Sequence, residues 1–173
     1  MNTGQSMLAI GAIILLSVIT LRINNNLATS NDIMMQSKFG ILATSLAQSF
    51  IQDASGKTFD SNTTGGKTVN STTLLTASDE LGPEGTEKYP NFDDFDDYND
   101  FDTTITDLPS AIYYLQCKVC YVDPNNVNVV SSAPTWSKKI TVTVTSLISK
   151  DTTNLASKNK IVLSSIYSYW YSN

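Results

Sequence analysis

The sequence has no histidine, few charged residues and only two cysteines. Of its 173 residues, 11 are lysine or arginine and 16 are aspartate or glutamate. Without imidazole the chain lacks histidine-based catalytic triads, histidine metal ligands and the usual proton carrier near neutral pH. Two cysteines are too few for a disulfide framework or a four-cysteine zinc site. These absences favour a binding, structural or assembly protein, and we expect no enzymatic activity.

The net charge is also unfavourable for one large class of partners. The chain carries a formal charge of -5 and has a pI near 4.5, so it would repel nucleic acid phosphates. Its length suits one domain of ordinary size with an appendage, and 41% hydrophobic residues are enough for a folded core. We therefore exclude nucleic acid as a partner and expect a single globular part.

The appendage is indicated by an uncharged, strongly apolar segment near the N-terminus. No charged side chain occurs before Arg22, and the fifteen residues from Met7 to Leu21 include nine Leu, Ile or Val. A helix that is apolar on all sides must lie in lipid or among other helices. Its length of about 22 Å is short against a hydrocarbon core of about 30 Å, which suits a segment that enters a membrane without being held there. The large apolar side chains are Met7, Leu8, Ile10, Ile13, Ile14, Leu15, Leu16, Val18, Ile19 and Leu21.

Three simpler explanations of this segment are weaker. A cleaved secretory signal usually follows basic residues, and none precedes the apolar run. A signal anchor is more plausible, but anchors usually have flanking lysine or arginine clusters, whereas Arg22 is isolated. A buried core helix of a soluble domain does not fit the N-terminal position and uniform apolarity.

A second helical pattern follows, with one apolar side. The stretch at 24–31 is rich in Asn, Ser and Thr, which compete with helical backbone hydrogen bonds, so the helix is expected to be weak there. From 32 to 56 the spacing predicts an amphipathic helix that closes at Gly56, a residue suited to the left-handed conformation. Its apolar stripe consists of Met35, Phe39, Leu42, Leu46 and Phe50.

The start of the chain, Gly4-Gln5-Ser6-Met7-Leu8 followed by the apolar helix, resembles the type IV pilin family and its pseudopilin relatives. The resemblance implies a leader at 1–4, cleavage after Gly4 and methylation of Gln5 as the first mature residue. It also implies that the helix at 5–31 lies in the inner membrane before it enters the core of a helical filament of identical subunits on the bacterial cell surface. Where the family usually has glutamate this chain has Ala9, which favours a minor or pseudopilin role.

The fold class expected from this resemblance and from the pattern is α+β, with a long N-terminal helix packed on an antiparallel sheet. Alternating apolar residues predict three long strands at 111–122, 139–148 and 160–171, within a sheet region at 108–173. Cys117 and Cys120 lie three residues apart on one predicted strand, so they should point to opposite faces and remain unlinked.

The intervening region, 57–107, reads as loops. Its Ser- and Thr-rich part at 57–78 has little to bury, and we expect a solvated surface loop. Asn62 and Asn70 each begin an acceptor pattern for N-linked sugar, which would be consistent with an outward-facing segment.

The run at 91–102, NFDDFDDYNDFD, holds six acids, with an aromatic residue at every third position. One interpretation is a calcium site, because carboxylate and amide oxygens are the ligands that calcium prefers. The other, which we favour, is an acidic solvated loop pinned to the domain by its aromatic side chains; apart from calcium we expect no cofactor. The candidate ligands are Asp93, Asp94, Asp96, Asp97, Asn99, Asp100 and Asp102.

The sequence thus predicts a filament subunit that polymerises through its apolar helix. The alternative is a monomeric, membrane-anchored surface domain that binds a ligand or partner through the acidic loop. A hydrolase that works with carboxylates alone is disfavoured by the missing histidine.

Overall fold

A computed structural model describes residues 3–108, 111–147 and 160–170. The chain forms two compact units, residues 1–38 and 39–173. The first unit is helical throughout its described part, as the beginning of helix α1, which is assigned over Thr3–Ser55. The second unit contains the rest of that helix, a five-stranded antiparallel sheet and the loops between them. The α+β class predicted from the sequence is confirmed.

The first unit exposes its apolar side chains. The ten large apolar residues between Met7 and Leu21 have exposed fractions between 45% and 77%. The hydroxyls of Ser17 and Thr20 donate to the carbonyl oxygens of Ile13 and Leu16, one turn earlier, so these two polar groups are satisfied within the helix. Within the described residues, α1 is the one helix long and apolar enough to cross a membrane, with a mean hydropathy of 2.2 in its most apolar window.

The polar stretch at 24–31 does not interrupt the helix, which is continuous from Thr3 to Ser55. The hydroxyl of Thr29 donates to the carbonyl oxygen of Asn25, so this side chain also pairs within the helix. The helix ends at Ser55 as the sequence predicts. The predicted left-handed conformation of Gly56 was wrong, however, because Gly56 is not among the residues with positive φ.

In the second unit, the apolar stripe of the helix faces the sheet. Phe39 is buried, and Leu42, Leu46 and Phe50 are partly buried against the same cluster as the sheet residues. The stripe is confirmed from Phe39 onward, whereas Met35 lies in the first unit and is 48% exposed. Small residues complete the packed face where the helix backbone approaches the sheet. They are Ala43, Ala47 and Ala54, all buried.

Among the described residues the sheet has five strands: four lie in the order β1-β2-β4-β5, β3 pairs with the end of β2, and all pairs are antiparallel. The three long predicted strands correspond to β2, β4 and β5. The short strands β1 and β3 were not predicted, and since β1 begins at Asp102 the sheet starts before the predicted boundary at 108. The strands are β1 Asp102–Ile105, β2 Ile112–Asp123, β3 Asn126–Val130, β4 Ser137–Leu147 and β5 Lys160–Ser168.

The core lies between the helix stripe and one face of the sheet. Alternate residues of β2 and β4 are buried there, as the period of two requires. They are Tyr113, Leu115, Cys117, Val119, Ile140, Val142 and Val144. A second buried cluster joins Phe59, Val69 and Leu75 to Tyr121. The expectation of a solvated loop at 57–78 was therefore wrong, because these three apolar residues are enough to fix the segment on the sheet.

The two cysteines differ in exposure, as predicted. Cys117 is buried, Cys120 is half-buried, and both thiols are free. Burial raises the pKa of Cys117 to about 12, so its reactive thiolate is scarce at neutral pH.

We expect a thiol reagent to label Cys120 well before Cys117 in the folded protein, and both at similar rates in denaturant. Mass analysis of the digested, labelled protein would show this; a disulfide, or equal rates in the folded state, would contradict the strand geometry.

Candidate functional site

The acidic segment at 91–102 is held against the core by its aromatic residues. Phe92, Phe95 and Tyr98 are buried, and Phe101 packs on them from a partly buried position. The ring centroids of Phe92 and Tyr98 are 5.1 Å apart in an edge-on arrangement. The hydroxyl of Tyr98 donates to Asp53 near the end of the helix, at 2.6 Å. The predicted aromatic attachment of this loop is therefore present.

Three of the six acids of this segment are not solvated. Asp94, Asp96 and Asp97 are completely buried, so the prediction of a solvated loop was wrong for them, whereas Asp93, Asp100 and Asp102 are exposed. Backbone amides replace water for two of the buried acids. Oδ1 of Asp94 accepts the N–H groups of Asp96 and Asp97 at 2.8 and 3.2 Å, and Oδ2 of Asp97 accepts those of Asp93 and Asp94 at 2.9 and 3.2 Å. The repeated Asp-Asp pairs thus cap each other's backbone and close a compact turn.

Lys138, at the second position of β4, extends into the same buried region. Its Nζ lies 2.8 Å from Oδ2 of Asp60, 2.5 Å from Oδ1 of Asp96 and 2.9 Å from the carbonyl oxygen of Phe59. It also lies 4.7 and 5.1 Å from the ring centroids of Phe59 and Tyr121. The side chains of the lysine and both aspartates are fully buried. Three acceptors therefore match the three N–H groups of the ammonium.

The two aspartates that flank Lys138 differ in their hydrogen bonds. Asp60 also accepts from the backbone N–H of Asn62 and Thr76 and from the hydroxyls of Thr76 and Tyr121. Burial alone would raise its pKa, but Lys138 and these hydrogen bonds hold the pKa of Asp60 below its usual value. For Asp96 burial prevails over the attraction of Lys138, and its pKa is raised.

Three carboxyl oxygens of the buried aspartates receive no hydrogen bond from the described residues. They are Oδ2 of Asp94, Oδ2 of Asp96 and Oδ1 of Asp97. Burial, together with the charge of Asp96, raises the pKa of Asp94 to about 9. The region thus combines one buried ammonium with more carboxyl groups than it can neutralise.

The structure brings together four of the seven predicted calcium ligands. One oxygen each from Asp93, Asp94 and Asp97 lie within 4.8 Å of one another, and Asp94 and Asp96 form a similar group with Glu84. A third group joins Glu84 and Glu87 to Asp97. The two glutamates were not predicted, because they lie outside the acidic run.

The other three predicted ligands are engaged elsewhere. The side chain of Asn99 donates to the carbonyl oxygen of Leu81 and accepts from the N–H of Val119. Asp100 forms an exposed ion pair with Lys118, and Asp102 accepts from the hydroxyl of Tyr114. These residues join the loop to β2 and its surroundings.

Whether calcium binds stays a prediction, and metal removal tests it. We expect a chelator to leave the midpoint of thermal unfolding unchanged, because Asp96 is already engaged by Lys138 and the backbone already caps Asp94 and Asp97. The measurement is a thermal melt with excess chelator, then with calcium added back. A midpoint that falls with chelator and recovers with calcium would show that the acidic oxygens hold a metal ion.

The remaining predicted sites lie on the surface. Gly4 and Gln5 are exposed within the first turns of α1, and their processing stays a prediction. Asn62 and Asn70 are exposed as well, and Asn62 lies in a short 3₁₀ helix, Ser61–Gly66, that Asp60 caps.

No known protein family, no curated protein and no solved structure matches the chain.

Proposed function

We propose that the protein is a structural subunit of an extracellular type IV pilus-like filament. The observation that carries this proposal is the apolar half of α1, whose ten large apolar side chains are all at least 45% exposed. A surface of this size and apolarity is unfavourable in water and requires lipid or other helices around it. The resemblance of the segment around Gly4 to the pilin family favours lipid first and the helices of other subunits afterwards.

The mechanism is an exchange of environments. The helix first lies in the inner membrane and then packs among the same helices of other subunits, so its apolar surface is never left in water. Nine Leu, Ile and Val residues contribute roughly -3 to -5 kcal/mol to insertion, which is favourable but moderate. Small residues such as Ala9, Gly11 and Ala12 allow close helix approach. The Asn-rich stretch at 24–31 is where the helix would unwind if assembly requires extension.

The rival function is a monomeric anchored domain that binds a partner through the acidic loop. Burial of Asp94, Asp96 and Asp97 weighs against it, because these carboxyl groups are not accessible to a partner. The three exposed acids of the loop, Asp93, Asp100 and Asp102, offer only half of its charge. The filament is therefore the function that we favour.

Electron microscopy of material sheared from cells tests the proposal. An antibody against the second unit should decorate filaments along their length if the protein is a major subunit, or at restricted positions if it is a minor one. Label confined to membrane vesicles, or found on dispersed molecules in the medium, would contradict a filament and favour the anchored domain.

A further inference from the structure

We propose that Lys138 and Asp96 join in an intramolecular amide bond, with Asp60 accepting the proton that the lysine must lose. This modification does not depend on the filament function. Its basis is the placement of one buried amine between two buried carboxyl groups, at 2.5 Å from Oδ1 of Asp96 and 2.8 Å from Oδ2 of Asp60.

The reacting groups are held close by rigid parts of the second unit. Lys138 lies in β4, which pairs with β2 on one side and β5 on the other. Asp96 begins a short 3₁₀ helix between the buried rings of Phe95 and Tyr98. Because Nζ of Lys138 lies 2.5 Å from Oδ1 of Asp96, it is also close to Cγ, the carbon bonded to that oxygen. In reactive complexes the attacking atom and the atom that it attacks are about 3–3.5 Å apart. Two residues 42 positions apart in the chain are thus held in contact.

The hydrogen bonds assign different roles to the two aspartates. Both oxygens of Asp60 accept hydrogen bonds, from Asn62, Thr76 and Tyr121 as well as from Lys138, which is the arrangement of an ionised carboxylate. Oδ2 of Asp96 is buried and receives no hydrogen bond from the described residues. A protonated Asp96 is the better electrophile, because its hydroxyl leaves as water, and an ionised Asp60 is the better proton acceptor.

The reaction balances without an outside reagent. The ammonium of Lys138 transfers one proton to Asp60, and the amine lone pair attacks Cγ of the protonated Asp96. The Nζ–Cγ bond forms, the bond from Cγ to the carboxyl hydroxyl breaks, and one further amine proton leaves with that hydroxyl as water. The products are an amide, one water molecule and a neutral Asp60, so no oxidant, reductant or activated donor is needed.

The surroundings favour the amide over the ions. The side chains of all three reacting residues are fully buried. Removal from water makes the buried charges costly, and condensation eliminates the ammonium and the negative charge of Asp60 together. A site that excludes water also protects the product from hydrolysis.

Peptide mapping of the full-length wild-type protein tests the proposal. After denaturation and trypsin digestion, an unmodified chain gives the peptides 89–118 and 119–138, the second ending at Lys138. If the amide is present, trypsin cannot cut after Lys138. We then expect 89–118 joined to 119–139, with a mass one water below the sum of the two peptides. Recovery of the separate peptides from folded protein would overturn the proposal, and a link to 58–67, which contains Asp60, would overturn the choice of Asp96.

The chain contains its own control. Lys118 and Asp100 lie 2.8 Å apart, but their side chains are 62% and 71% exposed, so this pair should stay unlinked and trypsin should cut after Lys118. In Lys138→Arg the linked peptide should disappear, because guanidinium is not a nucleophile. In Asp60→Asn it should form at least tenfold more slowly, although both joined residues remain; unchanged formation would overturn the role of Asp60. The wild-type digest decides the main question even if a variant does not fold.

Discussion

Replacing Ile14 and Leu15 together with aspartate is expected to abolish filaments. Each aspartate near the centre of an apolar helix costs about 2.5–3.5 kcal/mol on insertion, so the pair exceeds the entire favourable term of the segment. The side chains of Ile14 and Leu15 are 59% and 64% exposed in the first unit, so the fold of the second unit should be unaffected. Microscopy of sheared material measures the filaments, and circular dichroism of the purified variant measures the fold.

The matched control places the same two charges farther along the helix. Ser30→Asp and Asn31→Asp lie on the exposed polar stretch and should leave filament yield within a factor of about two of wild type, since a helix surface outside the apolar segment tolerates charge. Normal filaments from the Ile14 and Leu15 variant would contradict the proposed role of the apolar segment.

Lys138→Met is expected to lower the free energy of unfolding by about 3–5 kcal/mol. Removing one partner of a buried ion pair leaves the other without compensation, and here Asp60 and Asp96 would both lose the ammonium. In molecules where Lys138 and Asp96 are joined by an amide, the ion pair is absent and the substitution removes the cross-link instead. Urea unfolding of detergent-solubilised protein, followed by tryptophan fluorescence, measures the change, because Trp136 packs against the second buried cluster.

Lys118→Met is the control for that variant. Lys118 also lies on a long strand and pairs with an aspartate at 2.8 Å, but the pair is exposed, so its loss should cost no more than about 1 kcal/mol. Equal effects of the two substitutions would show that burial of Lys138 contributes little to stability.

The sequence predicted the long elements because their patterns are local. The alternation in β2, β4 and β5 and the stripe from Phe39 to Phe50 can each be read within about ten residues. The strand β1 spans only four residues, of which Ile105 alone is apolar, and β3 spans five residues that are all exposed, so neither shows an alternation of apolar and polar residues that the sequence could reveal. The stretch at 24–31 was expected to weaken the long helix, because its Asn, Ser and Thr residues have unfavourable helix propensity, and the chain is nevertheless helical there.

The candidate site was only half visible in the sequence. The Asp-rich run was recognised, but its burial was not, since the reciprocal capping of Asp94 and Asp97 depends on the exact turn. The burial of Lys138 could have been predicted from the sequence. Lys138 lies two and four residues before the buried Ile140 and Val142 on the same strand, so its side chain points to the same face as theirs. No sequence pattern indicated the role of Asp60, because it lies 78 residues before Lys138 in a segment that we expected to be a solvated loop.

Contact between copies through the apolar helix is the central claim, and photo-crosslinking measures it most directly. A photoreactive amino acid in place of Leu15, which is 64% exposed, would be activated in protein collected from outside the cells. The account predicts a ladder of covalent multimers whose cross-links join the 5–31 segments of different subunits. Cross-links to lipid alone, or monomers that have lost the apolar segment, would contradict it.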